Sequence, residues 1–247
     1  MKIIKNKNYL IKLIRGKKNI GFIPTMGGIH DGHIYLIKKS IVECNISIVS
    51  IFINKSQFNK KSDFEKYPRI LKKDITKLKK LKINYLFLPS AKQIYPEGTN
   101  KNIKIHSFGK KLCGKYRPGH FEGVVDVIER FIKIINPKKI YMGKKDMQQL
   151  IIVQNFVKKK YKNIKICGCK TIREENGMAF SSRNFLLSQQ EKIIASKVIK
   201  LLRFYKNKII KGKNTIASVK KIVHGLGVNK IDYIKLLNIN KLIKPYK

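Results

Sequence analysis

His30 and His33 lie three residues apart in the segment Pro24-Thr-Met-Gly-Gly-Ile-His-Asp-Gly-His33. Residues three apart on a first helical turn share a face, so this pair can present two imidazoles to one ligand. Two imidazoles aimed at a phosphate can donate hydrogen bonds to charge developing on it, which is the chemistry of nucleotidyl transfer. Gly27, Gly28 and Gly32 omit the Cβ atoms that would keep a phosphate away from backbone N–H groups, and a helix N-terminus favours negative charge there. Two other uses of the segment stay open: a glycine turn placed for packing, and a paired-His metal site. The spacing counts against the second, because it is not the i, i+4 of H-E-x-x-H.

Three further clusters carry polar chemistry. In Ala179-Phe-Ser-Ser-Arg-Asn184, the hydroxyls of Ser181 and Ser182 and the planar fork of Arg183 suit a polyphosphate clamp; the alternative is an exposed loop leading to a helix capped by Ser188. In Tyr141-Met-Gly-Lys-Lys-Asp-Met-Gln-Gln-Leu150, a strand runs into Gly143 and then a helix bearing Lys145, Asp146 and Gln149; lysine suits phosphate as a point charge. In Ser50-Ile-Phe-Ile-Asn-Lys-Ser-Gln-Phe58, Asn54 and Gln57 follow a strand. Ligands of open α/β sheets bind beyond such carboxyl ends.

The elements that must position these groups alternate. Strands are predicted at Ile20–Pro24, Ser47–Asn54, Tyr85–Pro89, Lys139–Met142 and Asn163–Cys169, with helices at Asp31–Cys44, Ile70–Leu81, Gly123–Asn136 and Asp146–Lys160. That order implies an α/β fold, a Rossmann-like parallel sheet with helices on both faces. Alternation stops near Thr171, so the domains are expected to be 1–171 and 172–247. The second is read as a small α+β domain with helices near Gln189–Lys206 and Asn214–His224 and a strand at Ile231–Leu236.

Composition narrows the partners. The 247 residues carry a formal net charge of +42, and 43% of them are hydrophobic. A charge of that size argues for nucleic acid when it is clustered. Here lysines are spread over the whole chain, isoleucine and asparagine are abundant with them, and arginine, which reads bases bidentately, is scarce. A bias toward A/T-rich codons accounts for this, and no specific nucleic-acid partner is expected. No apolar stretch reaches transmembrane length, and Met1-Lys-Ile-Ile-Lys-Asn lacks a signal peptide's apolar core; a soluble cytoplasmic protein without membrane contact is expected. Cys44, Cys113, Cys167 and Cys169 show no C-x-x-C spacing and are read as structural thiols.

In order, the motifs PTMGGIHDGH, FINKSQF, Tyr67-Pro-Arg69, Arg117-Pro-Gly-His-Phe121, GKKDMQQ and FSSRN resemble those of the pantothenate synthetases, pantoate–β-alanine ligases of the HxGH nucleotidyltransferase superfamily. The likeness spans about residues 20 to 190. Phe180 stands where the family usually has Met, and Lys144 where an acidic residue is common. The chain after Ser188 matches less and is short for the family, so the second domain is expected to be a shortened lid.

The resemblance implies an ATP-dependent ligase. ATP and (R)-pantoate would form a pantoyl adenylate and pyrophosphate; β-alanine would then displace AMP to give pantothenate. His30, His33 and Lys145 would be catalytic, with His33 matching the family's proton donor. ATP would be held by the turn Met26, Gly27, Gly28, Ile29, His30, Asp31, Gly32 and His33, by Gly143, Lys144, Lys145 and Asp146, by Ile172, and by Phe180, Ser181, Ser182 and Arg183. Gln57 and Gln149 would bind pantoate, Gln57 also facing β-alanine. Mg²⁺ would accompany ATP, held mainly by phosphates and water, and the protein would be a homodimer. The competing readings are another adenylate-forming nucleotidyltransferase, against which Gln57 and Gln149 count, and a basic nucleic-acid-binding protein on the same fold, against which intact His30, His33, Lys145 and Arg183 count.

Overall fold

In the computed structural model, which describes residues 1–240, 242 and 245, six parallel strands form one sheet. They are β1 (Lys2–Ile4), β2 (Ile20–Thr25), β3 (Ile46–Ile51), β4 (Tyr85–Phe87), β5 (Lys139–Gly143) and β6 (Lys165–Cys169), in the spatial order β1-β4-β3-β2-β5-β6. The register sets Phe22 opposite Ile48 on one side and Ile140 on the other. Helices α1 (Lys7–Ile14), α2 (Asp31–Glu43), α3 (Lys61–Lys66), α4 (Leu71–Lys79), α5 (Ala91–Ile94), α6 (Cys113–Tyr116), α7 (His120–Ile135) and α8 (Met147–Lys160) lie between the strands.

Strands buried on both faces read as continuous apolar runs, and alternate residues of the sheet feed two cores. Phe22, Ile48, Phe87 and Ile140 pack with Leu10 of α1, Val125 and Phe131 of α7, and Val153 of α8. Ile23, Val49, Leu86 and Tyr141 pack on the other face with Leu36 and Ile37 of α2 and Leu78 of α4. From β2 the chain winds through β3 toward one edge, and β5 and β6 lie on the other side. The carboxyl ends of β2 and β5 therefore flank the point where strand order reverses, where such sheets open a crevice for ligands.

Contacts divide the chain into two compact units, Met1–Ile172 with Phe180–Ser182, and Arg173–Ala179 with Arg183–Lys247. The second unit contains α9 (Gln189–Ile210) and α10 (Ile216–Gly225). Ser188 caps α9 in a capping box with Glu191, as its sequence suggested. Ile209, Val219 and Val223 form this unit's core.

Several boundaries differ from the sequence reading. The strand expected at Ile231–Leu236 is not formed; β pairing among this unit's described residues is the single bridge between Arg173 and Ala179. With no neighbouring strand to pair, Ile231, Ile234 and Leu236 instead pack as irregular chain on the α9–α10 core. β3 leaves the sheet at Ile51, three residues early, and Asn54 caps a short 3₁₀ turn, Lys55–Gln57. α7 begins at His120, because Gly119 takes φ +76° at its N-cap and lets the chain enter the helix directly from Pro118. β1 and α1 were not foreseen.

Candidate active site

The chain leaves β2 at Thr25 and enters α2 at Asp31 through a turn built on Gly27 and Gly28, at φ +82° and +62°. A Cβ on Gly28 would lie 2.7 Å from that of Ser182, so the position demands glycine twice over. The peptides of this turn do not project outward as the sequence suggested. Gly27 N–H donates to Thr25 Oγ1 at 3.2 Å, Gly28 N–H to Asp74 Oδ2 at 2.9 Å, and Ile29 N–H to Asp74 Oδ1 at 2.7 Å. No side chain caps α2, whose N-cap is His30. The donors left for an anion are thus the first N–H groups of α2, those of Asp31, Gly32 and His33.

His30 and His33 meet as their spacing predicts. Their rings stack with centroids 4.0 Å apart, and Phe180 stacks on His30 at 6.0 Å. A Cβ on Gly32 would come within 2.9 Å of the His30 ring, so glycine there makes room for the imidazole. Burial, then Lys145, pulls the His30 pKa down to about 4. Burial, then His30, Lys145 and Lys77, holds His33 well below its ordinary value. Both imidazoles are therefore neutral at pH 7. Their Nδ1 atoms are buried and have no hydrogen-bond partner among the described residues. Buried polar atoms are nearly always paired, and two orphans side by side mark a place for a ligand.

Lys145, Lys144 and Asp146 form an exposed 3₁₀ turn after Gly143. Lys145 Nζ lies 2.9 Å from Asp146 Oδ1, an exposed pair that a phosphate can replace at little cost. Lys77 was not singled out from sequence; its Nζ donates to the Ile29 carbonyl at 2.8 Å. Among the described residues no group of three or more His, Cys, Asp or Glu could hold a metal ion.

On the other side of Met26, Gln57 Nε2 contacts the Met26 thioether at 3.1 Å. Gln57 Oε1 accepts from Asn54 Nδ2 at 3.2 Å, and its carbonyl lies 2.6 Å from His120 Nδ1. Asn54 is fully buried, donating also to the Gly123 carbonyl and accepting from Ser56 and Tyr95. Asn54 and His120 thus set the aim of Gln57. Of the paired glutamines on α8, Gln148 bonds Cys113 N–H and the Phe108 and Lys111 carbonyls, which makes it a brace for that loop. Gln149 stays half-buried on the first turn of α8.

The expected Ser181–Arg183 clamp is divided. Ser182 is buried, and its hydroxyl lies within hydrogen-bond reach of the Gly27 and Gly28 carbonyls, at 3.1 and 3.0 Å; it braces the turn instead of facing outward. Ile172 receives Phe180 N–H on its carbonyl at 3.1 Å. Arg183 belongs to the second unit. No helix among the described residues is long and apolar enough to cross a membrane, and the four cysteines are free thiols.

A family model described as pantoate-beta-alanine ligase matches residues 2–247. The chain is 38% identical over 241 residues to a pantothenate synthetase of Caldicellulosiruptor saccharolyticus, covering 96% of this chain and 86% of that one. Among solved structures it is similar to the pantoate-β-alanine ligase of Francisella tularensis, complexed with Beta-gamma ATP and β-alanine, with a TM-score of 0.86, 36% identity and coverage of 96% and 90%. It is also similar to the pantothenate synthetase of Thermus thermophilus, with a TM-score of 0.89, 29% identity and coverage of 99% and 90%. With its stacked histidines at the switch point of a parallel sheet, the chain belongs to the pantoate–β-alanine ligase family.

Proposed function

We propose that this enzyme joins (R)-pantoate to β-alanine at the expense of ATP. A pantoate carboxylate oxygen attacks the α-phosphorus, the bond to the β-phosphate oxygen breaks, and pyrophosphate leaves. The β-alanine amine then attacks the acyl carbon of the adenylate, the acyl–oxygen bond breaks, and AMP leaves as the amine loses its proton. The observation that carries the reading is the stacked, neutral His30–His33 pair with two orphaned Nδ1 atoms at the head of α2.

The residue types suit the chemistry. Adenylation concentrates negative charge on the phosphates, and preorganised donors are worth most where that charge develops. His30 and His33 supply such hydrogen-bond donors without bringing a fixed charge; His33, at the position the resemblance gives to the proton donor, acts here as a neutral N–H donor. Lys145 neutralises phosphate charge, and Arg183 and Ser181 add contacts to the β- and γ-phosphates. Gln57 and Gln149 hydrogen-bond pantoate, with Gln57 turned toward the β-alanine side. The nucleotide enters as its Mg²⁺ complex, the ion held mainly by phosphates and water. We place the enzyme in the cytoplasm, where ATP is made, and as a homodimer.

The test is AMP release from ATP with pantoate and β-alanine, omitting each in turn, together with exchange of labelled pyrophosphate into ATP. Exchange that requires pantoate but not β-alanine supports the reading. Exchange equally fast without pantoate, or supported by an unrelated acid, refutes it.

A further inference from the structure

The glycine turn has an anion beneath it. Asp74, on α4, is 1% exposed, and its two oxygens take the N–H groups of Gly28 and Ile29. A carboxylate so close to a polyphosphate site opposes the ligand through charge repulsion, so it must return something else. Three residues further along the same helix, Lys77 Nζ holds the Ile29 carbonyl at 2.8 Å. α4 therefore grips both backbone polar groups of Ile29, the residue immediately before the N-cap His30. Gly27 and Gly28 impose no side-chain limit on their own conformation, and without an outside anchor the segment would sample many states. The bond between charged carboxylate and backbone N–H is of the strong kind, and Ser182 secures the carbonyls of Gly27 and Gly28.

We propose that Asp74 is a positioning residue for adenylation: by fixing the peptides of Gly28 and Ile29, with Lys77 on the Ile29 carbonyl, it aims His30 and the first turn of α2 before ATP arrives. This rests on the function proposed above. The segment Met26–Ile29 then acts as a preset support, and the donors that would meet phosphate begin two residues further on, at Asp31 of α2. A misplacement of about 1 Å at such a support can cost on the order of 10²-fold in rate.

The experiment uses the full chain with Asp74→Asn, which keeps the shape but leaves one amide oxygen to serve two N–H groups. Pantoate-dependent pyrophosphate–ATP exchange is measured at a temperature where both proteins are folded by circular dichroism. The expected result is a turnover lowered roughly 10- to 100-fold with the KM for ATP within about threefold of the parent. Lys77→Met, an exposed position, is expected to lower the same turnover by about three- to tenfold, and it carries the test alone should Asp74→Asn not fold. Turnover of the folded Asp74→Asn protein within about threefold of the parent, whatever its melting temperature, overturns the proposal. So does a raised KM with unchanged turnover, which would mark a ligand contact. Should the parent itself show no exchange, the functional reading fails separately, and the His30 ring signals in proton–carbon NMR still decide. Asp74→Asn should move them while leaving those of His224 in place, and unmoved His30 signals overturn the proposal.

Discussion

The imidazoles of His30 and His33 lie face to face, centroids 4.0 Å apart and planes 27° from parallel. Two charged rings at that distance would repel strongly in a half-buried site, so both are held neutral, and the proposed function gives each the part of a neutral N–H donor. Removing either should therefore remove a positioned donor. We expect His33→Ala to lower adenylate formation by about 10²-fold or more, and His30→Ala to behave similarly. Initial rates of pyrophosphate exchange, measured beside melting temperature, check this. A lower melting temperature with near-normal specific activity would show that the rings serve only packing.

The same pair makes stability depend on pH. His30 has a folded pKa of about 4 against an ordinary 6.5, and His33 is shifted in the same direction. Between those values the unfolded chain binds a proton that the folded chain refuses. The stabilisation is complete above pH 6.5 and is lost as pH falls toward 4. Calorimetry should show the melting temperature falling from pH 7 to pH 5. His30→Gln should flatten that slope, and an unchanged slope in the variant would contradict the assignment.

Beyond the histidines, the substrate side depends on a buried amide. Asn54 Nδ2 reaches the Gly123 carbonyl at 3.0 Å and Gln57 Oε1 at 3.2 Å, while its Oδ1 accepts from Tyr95 and Ser56. Asn54→Ala removes those bonds, at a cost of about 1–3 kcal/mol for each buried group left without another partner. Urea unfolding should register that loss. Because Gln57 is also released, the KM for pantoate should rise more than the KM for ATP. Equal KM changes for the two substrates would separate Gln57 from pantoate binding.

What could be read from the chain and what could not differ for physical reasons. The β2–turn–α2 unit was legible because an apolar run, glycines and an apolar helical period follow one another within about 25 residues. β1 was not, because Lys2–Ile4 is a strand only by pairing with β4, whose partners begin at Tyr85. Ile231–Leu236 has a strand's composition, yet a strand exists only with a neighbour, and the described part of the second unit supplies none. Asp74 was hidden for a similar reason: it is one acid in a lysine-rich helix, and its partners lie 45 and 46 residues upstream. A still longer separation hid the bond that Ser182 makes to the turn, where its hydroxyl meets carbonyls 154 and 155 residues earlier. Residue type suggested phosphate contact for that serine; tertiary packing assigned it to the turn.

The division of the Ser181–Arg183 segment leads to the last prediction. Ser182 is occupied with the turn, and Arg183 is the one cation of this segment, to which the proposed function gives contact with the polyphosphate. Its planar fork can meet two phosphate oxygens at once, which no neutral side chain replaces. Arg183→Ala should raise the KM for ATP and slow adenylation, and Arg183→Lys should restore only part, since lysine offers a point charge without the fork. Phe180 makes a different kind of contact, a ring stacked 6.0 Å from His30. Methionine keeps apolar contact of similar volume, and such swaps are usually tolerated; Phe180→Met should stay within about threefold of the parent rate. ATP saturation curves for the three variants check this. Full activity in Arg183→Ala would show that the segment past Ser182 serves only as a connection, and a large loss in Phe180→Met would show that the aromatic stack itself holds His30 in place.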